Sequence, residues 1–173
     1  MPQREVLTYP HPLLRQTSQA VEDVLAPKIQ SVIQDLLDTA MASGHSVGIA
    51  APQIGELWRI VYIDCSKHVP KGIGPQLLIN PVITGCEDSY QMREGCMSLP
   101  DYVGPVPRAR RIVVQALNRE GQVVEFKAAK FEAVVIQHEI DHLDGILFID
   151  RMVSMKTDLL RRADLLKRQD KSS

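Results

Sequence analysis

The stretch Lys130-Phe131-Glu132-Ala133-Val134-Val135-Ile136-Gln137-His138-Glu139-Ile140-Asp141-His142-Leu143 organises this chain. Its apolar residues recur at helical spacing, and Gly145 follows as a stop signal, so a helix is expected over residues 130–143. At 100° per residue, Phe131, Val134, Val135, His138 and His142 share one stripe. That stripe faces the core and carries both histidines into a region that excludes water. His138 and His142 lie about one turn apart, a spacing that lets two imidazoles reach one cation. Glu139 sits one step off the stripe. It can reach a water on that cation without ligating, as a carboxylate general base must. Two half-buried histidines satisfied by backbone groups are the bland alternative, because three fixed letters also recur by chance.

Working outward, a catalytic site takes a third protein ligand and keeps one position open. The candidates are Cys96, Cys65, Cys86, His11, His45 and His68. Cys96 lies in Glu94-Gly95-Cys96-Met97-Ser98-Leu99-Pro100, where Gly95 permits close backbone approach and Pro100 holds the segment extended. A thiolate suits soft or borderline divalent metals. A lone cysteine is more often a small buried hydrophobe, and Cys65 and Cys86 are read that way. A third segment, Ser46-Val47-Gly48-Ile49-Ala50-Ala51-Pro52-Gln53, is built of small residues that let a backbone or a substrate come close. Gln53 adds an uncharged donor suited to an oxyanion. The alternative there is a tight turn with a surface glutamine.

Around these segments the expected elements fall into a simple order. Tyr9-Pro10-His11-Pro12 reads as extended. A helix follows Pro27, with Ile29, Val32, Ile33, Leu36, Leu37, Ala40 and Met41 on its apolar face and Gly44 at its end. Residues 59–64 read as a strand, and so do 77–83, with Pro81 making the far half an edge or a bend. Residues 111–117 and 123–128 flank Asn118-Arg119-Glu120-Gly121 as a hairpin. A last helical stretch covers 155–167. The order predicts an α+β fold, with mostly antiparallel sheets around a central metal-binding helix and with N-terminal and C-terminal helices.

The chain has 173 residues, of which 45% are hydrophobic and 24% charged, so a single domain over residues 1–173 is expected. A net charge of -1 and 5% aromatics argue against DNA, RNA and anionic membrane surfaces as partners. No apolar run reaches membrane-spanning length, and residues 1–6 lack a signal-peptide core, so a cytoplasmic location is expected. Three cysteines do not form a disulfide framework. From Ser154 onward the chain is basic, with Leu159, Leu160, Ala163, Leu165 and Leu166 as an apolar strip. It reads as an amphipathic helix packed on the body, or as a docking element for an anionic partner.

Together the three segments resemble the peptide deformylases. Those enzymes share a glycine- and alanine-rich motif ending in Pro-Gln, a Glu-Gly-Cys-x-Ser motif, and a Gln-His-Glu-x-x-His motif followed by Leu-x-Gly. Here these are residues 46–53, 94–98 and 137–145, and Pro10-His11-Pro12-Leu13-Leu14-Arg15 is similar to the family's opening. The resemblance implies hydrolysis of the formyl group from the formylmethionine that begins nascent polypeptides, releasing formate. It implies Cys96, His138 and His142 as metal ligands, Glu139 as general base and acid, and Gln53 with the Met97 N–H as oxyanion donors. Gly48 is expected to offer its backbone to the substrate. Val47, Phe131, Val134 and Val135, beside the ligand helix, are expected to hold the methionine side chain. The peptide beyond is expected to lie extended along the Val47 segment. The implied metal is Fe2+, with Zn2+, Ni2+ or Co2+ as substitutes.

Two positions depart from the family pattern. Ser46 replaces the first glycine of the first motif, and a positive φ there would strain it. Asp101-Tyr102-Val103-Gly104-Pro105 lacks an arginine that some members carry. Two rivals remain. A zincin-type metallopeptidase would take its third ligand from beyond the helix, at Asp144, Asp150 or a later acid. A non-catalytic, metal-stabilised module could sit on the ribosome through the C-terminal helix.

Overall fold

The structure is a computed structural model and describes residues 3–170. The readings of the first six residues and of the basic tail extend partly outside that range. The opening segment is only partly extended. Leu7 and Tyr9 donate backbone N–H bonds to Gln53 O and Ser98 O, both 2.8 Å. Residues Pro12–Arg15 instead close a 3-10 turn, where Leu13 N donates to His11 Nδ1 at 3.3 Å.

Helix α1 (Pro27–Ser43) begins on a proline whose preset φ suits the first helical position, and it ends at Gly44 with φ 66°. Ile29, Val32, Ile33 and Leu36 are buried as expected, but Met41 turns outward and is 68% exposed. Strands β1 (Gly48–Ala50), β2 (Ile60–Ile63), β3 (Gln76–Cys96), β4 (Leu99–Leu117) and β5 (Val123–Ala129) pair antiparallel in that order. Helix α2 (Lys130–Leu143) has the bounds its periodicity predicted. Then come α3 (Phe148–Arg151), α4 (Met155–Asp158), β6 (Leu160–Arg161) and α5 (Arg162–Asp170). This is a mixed fold of helices and antiparallel sheet. Among the described residues no helix is long and apolar enough to cross a membrane.

Both faces of β2 are covered. Val61 and Ile63 join Leu78, Val114 and Ile136 of α2 in one core, while Ile60 joins Ile33 and Leu36 of α1 in another. A third cluster, with Leu14, Val106 and Phe148, encloses Cys96. Helix α2 ends in a Schellman arrangement, with Ile146 N on Asp141 O at 3.0 Å and Gly145 N on His142 O at 3.2 Å. Gly145 has φ 71°, and a Cβ there would stand 2.5 Å from Arg15 O. Only glycine meets both demands.

Two expectations need correction. The strand expected to end at residue 83 runs on to Cys96, because β4 supplies partners from Val82↔Gln115 to Gly95↔Val103. Residues 84–93 are largely solvent-facing, so no hydrophobic pattern announced them. Pro105 and Pro107 lie in β4 between the residues paired with β6 and those paired with β5, on an open edge where a sheet tolerates proline. The bend at Pro81 falls where the register shifts. Asn80 takes φ 51° there and holds Val21 N and O through its side-chain amide at 2.9 and 2.8 Å. Finally, the single C-terminal helix is interrupted. Leu160 and Arg161 pair with Val103 and Tyr102 at the edge of β4, and that edge overrides helical propensity.

Candidate metal centre

Strand β3 delivers Cys96 at its last residue, and α2 delivers His138 and His142 on its buried face. The three possible ligand atoms lie within 4.8 Å of one another. His142 Nε2 is 3.3 Å from Cys96 Sγ. His138 Nδ1 meets Glu94 Oε1 at 2.7 Å, which fixes the ring and frees Nε2 to face the cluster. Glu94 is held in turn by Arg108, whose Nε and Nη2 both donate at 2.9 Å. Arg108 Nη1 also donates to Asp141 Oδ2 at 2.5 Å, and Arg151 clasps the same carboxylate. Glu94, Arg108 and Asp141 are all buried. Their roles escaped the sequence reading. Glu94 stood inside a motif without a partner in view, and Arg108 carried no local signal at all.

Gln53 is buried rather than on the surface. Its Oε1 accepts from Ala50 N at 2.9 Å. Its Nε2 is thereby aimed at Ser98 Oγ, 3.1 Å away, and at Cys96 Sγ, 3.6 Å away. Ser98 N adds a further contact to the sulfur at 3.4 Å. Glu139 stands against Gly48, where a Cβ would lie 2.6 Å from Glu139 Oε1, so that glycine leaves the room the carboxylate occupies. Ser46 is not among the residues of positive φ, so the feared strain is absent. Its Oγ donates instead to Gly48 O at 2.6 Å.

A cavity of about 530 Å³ opens onto this cluster. Val47, Gly48, Gln53, Cys96, Met97, Phe131, Val134, Val135, His138 and Glu139 all line it, with His142 behind. Arg162, which no motif indicated, lines it too. The other ligand candidates lie apart from the cluster. His11 caps the first turn, His68 packs on the Phe131 ring, Cys65 is buried elsewhere and Cys86 is exposed. His45 lines the cavity outside the cluster. The carboxylates a metallopeptidase would need are engaged elsewhere, Asp144 with Arg59 and Asp150 with Arg15.

The electrostatics suit a cation. Burial works against the Cys96 thiolate, yet His142 and His138 outweigh it and hold the group well below its ordinary range. Burial likewise disfavours a charged His138, but Cys96 and Glu94 raise it well above. Burial pushes the Glu139 carboxyl up to about 7, with Cys96 and Glu94 adding to the rise against the histidines. Glu139 Oε2 and His142 Nδ1 are buried without a hydrogen-bond partner among the described residues. One thiolate, two imidazoles and an unpartnered carboxylate oxygen fit a divalent metal and a water.

The chain has close relatives. The sequence pattern of the family described as polypeptide deformylase matches residues 3–158. Peptide deformylase 2 of Vibrio cholerae is 43% identical over 155 residues, covering 90% of this chain and 89% of that one. The crystal structure of a peptide deformylase from Legionella pneumophila superposes with a TM-score of 0.80 at 32% identity, covering 99% of both chains. A peptide deformylase from Acinetobacter baumannii with Met-Ala-Ser bound superposes at 0.79 and 28% identity, covering 87% of this chain and 99% of that one. The match spans all three segments that build the cluster, and the chain belongs to the polypeptide deformylase family.

Proposed function

We propose that Cys96, His138 and His142 hold one divalent metal, ferrous iron, and that Glu139 moves the proton in the deformylase reaction. The reaction itself comes with the family: hydrolysis of the formyl group from the N-terminal formylmethionine of new polypeptides, with release of formate. The observation that carries the residue assignment is the buried cluster of three donors beside the unpartnered Glu139 Oε2. When bound, the metal supplies Lewis acidity, polarising a water and the formyl oxygen. Glu139 takes a proton from the attacking water as the water oxygen bonds to the formyl carbon. Gln53 Nε2 and the Met97 N–H donate to the formyl oxygen as negative charge develops there. Loss of one such donor costs about 2.7–4 kcal/mol of barrier. The carbon–nitrogen bond then breaks while Glu139 returns the proton to the leaving amine. Val47, Phe131, Val134 and Val135 enclose the methionine side chain.

Among the described residues β1 pairs only with β2, which leaves its outer edge to take an extended substrate backbone as an added strand, with Gly48 as the bonding position. On this reading residues 1–173 act as one catalytic domain with α2 at its centre. The test is formate release from a formyl-Met peptide by anaerobically prepared, iron-loaded protein. Turnover well above the metal-free control is expected, and none would sink the assignment.

A further inference from the structure

Resting on the deformylase reading, we propose that Arg162 is a substrate-binding residue that donates to a main-chain carbonyl of the peptide beyond the formylmethionine. Arg162 lies past residue 158, where the match to the family's sequence pattern ends. It reaches the cavity because β6 pairs with β4 through Tyr102↔Arg161 and Val103↔Leu160, which turns the next residue toward the site. Gly104 lets this tail settle on β4, since a Cβ there would stand 2.4 Å from Met152 Cε and 3.2 Å from Asp158 O. The side chain is then anchored at one point. Nε donates to Pro100 O at 3.1 Å, and Nη2 lies over Gly95, 2.6 Å from where a Cβ would stand.

That anchor leaves both terminal nitrogens without a protein acceptor among the described residues, on the wall of the cavity. A guanidinium is a fixed fork of donors with no acceptor capacity, so its complement is an oxygen. The cavity supplies a reason for that oxygen to be a peptide carbonyl. It is flanked by the open edge of β1 on one side. On the other, β3 beyond Ile83 pairs only with β4 among the described residues. A chain laid extended between two open edges points its carbonyls sideways at regular intervals. The reacting end is fixed by the metal cluster, so Arg162 reads the residues after the methionine and does not touch the bond that breaks.

The test uses the full, iron-loaded chain and its Arg162→Ala variant. The substrates are formyl-Met-Ala-Ser carboxamide and formyl-Met methylamide, which lacks the further carbonyls. For the tripeptide amide, KM is expected to rise roughly tenfold with kcat unchanged, the size expected for one charge-assisted hydrogen bond. The methylamide is expected to be unaffected, Arg162→Lys to recover part of the loss, and metal content and melting temperature to stay put. An unchanged KM for the tripeptide amide, or an equal loss on both substrates, removes the assignment. A third substrate, formyl-Met-Ala-Ser with a free carboxylate, separates an ion pair from a carbonyl contact: an effect confined to it would overturn the proposal. No turnover by the unmutated chain would instead remove the deformylase reading beneath it.

Discussion

Glu139 is held by packing rather than by bonds, with Oε1 against Gly48 and Oε2 unpartnered, which is how a group that exchanges a proton has to be held. Its replacement by alanine is expected to leave the metal bound while turnover falls about 10²–10⁴-fold, the contribution of a positioned base. Metal analysis alongside formate release checks this, and a variant that lost its metal would make Glu139 a ligand instead. The three cysteines divide in the same way. Cys65 lies outside the three-donor cluster, and burial pushes its thiol up to about 12, helped by Glu132, Asp64 and Glu139, so it is not a ready nucleophile. Cys96→Ala is expected to lower metal occupancy, whereas Cys65→Ala and Cys86→Ala are not. Equal occupancy in all three would point to another third ligand. In the folded protein at pH 8, a thiol reagent should leave Cys65 unmodified until denaturant is added.

Between elements, the buried ion network is the joint that brings β3, β4 and α2 to the cluster. Arg108 on β4 holds Glu94 on β3 and Asp141 on α2 at once. Arg108→Ala leaves the buried Glu94 carboxylate with His138 Nδ1 in place of a two-pronged guanidinium, whereas Asp141 retains Arg151. Breaking such a network from one side costs about 3–5 kcal/mol, measurable by denaturant unfolding of the metal-free protein. A loss below 1 kcal/mol would mean that water reaches Glu94 once Arg108 is gone. Because Glu94 orients His138, the same variant should also bind metal more weakly, by about 10–100-fold.

At the scale of the whole molecule, Arg15 and Asp150 tie the opening turn to the segment after α2. Burial opposes a charged Asp150, but Arg15, the Leu147 N–H and Arg151 overcome it and hold its carboxyl below the usual range. The stabilisation is therefore complete above the unfolded pKa of about 3.9 and is lost as pH falls through the lower folded value. Asp150→Asn should cost about 0.2–1 kcal/mol at pH 7 and progressively less below pH ~3.9, visible as converging melting temperatures. A gap that persists at low pH would assign the effect to packing. The chemistry of this chain was legible locally. The helix over 130–143, with its two histidines and carboxylate, announces itself by spacing, because a helix face is short-range geometry, whereas Cys96 and Gln53 were singled out by the resemblance of three segments to one family. Beyond the reach of the sequence lay everything made by partners distant along the chain. The extension of β3 to Cys96 depends on β4, the placement of Gln53 on Ser98 and Cys96, and the Glu94–Arg108–Asp141 joint on three elements meeting. The path of the tail that brings Arg162 to the cavity depends on an open sheet edge, and an edge exists only once the sheet has formed.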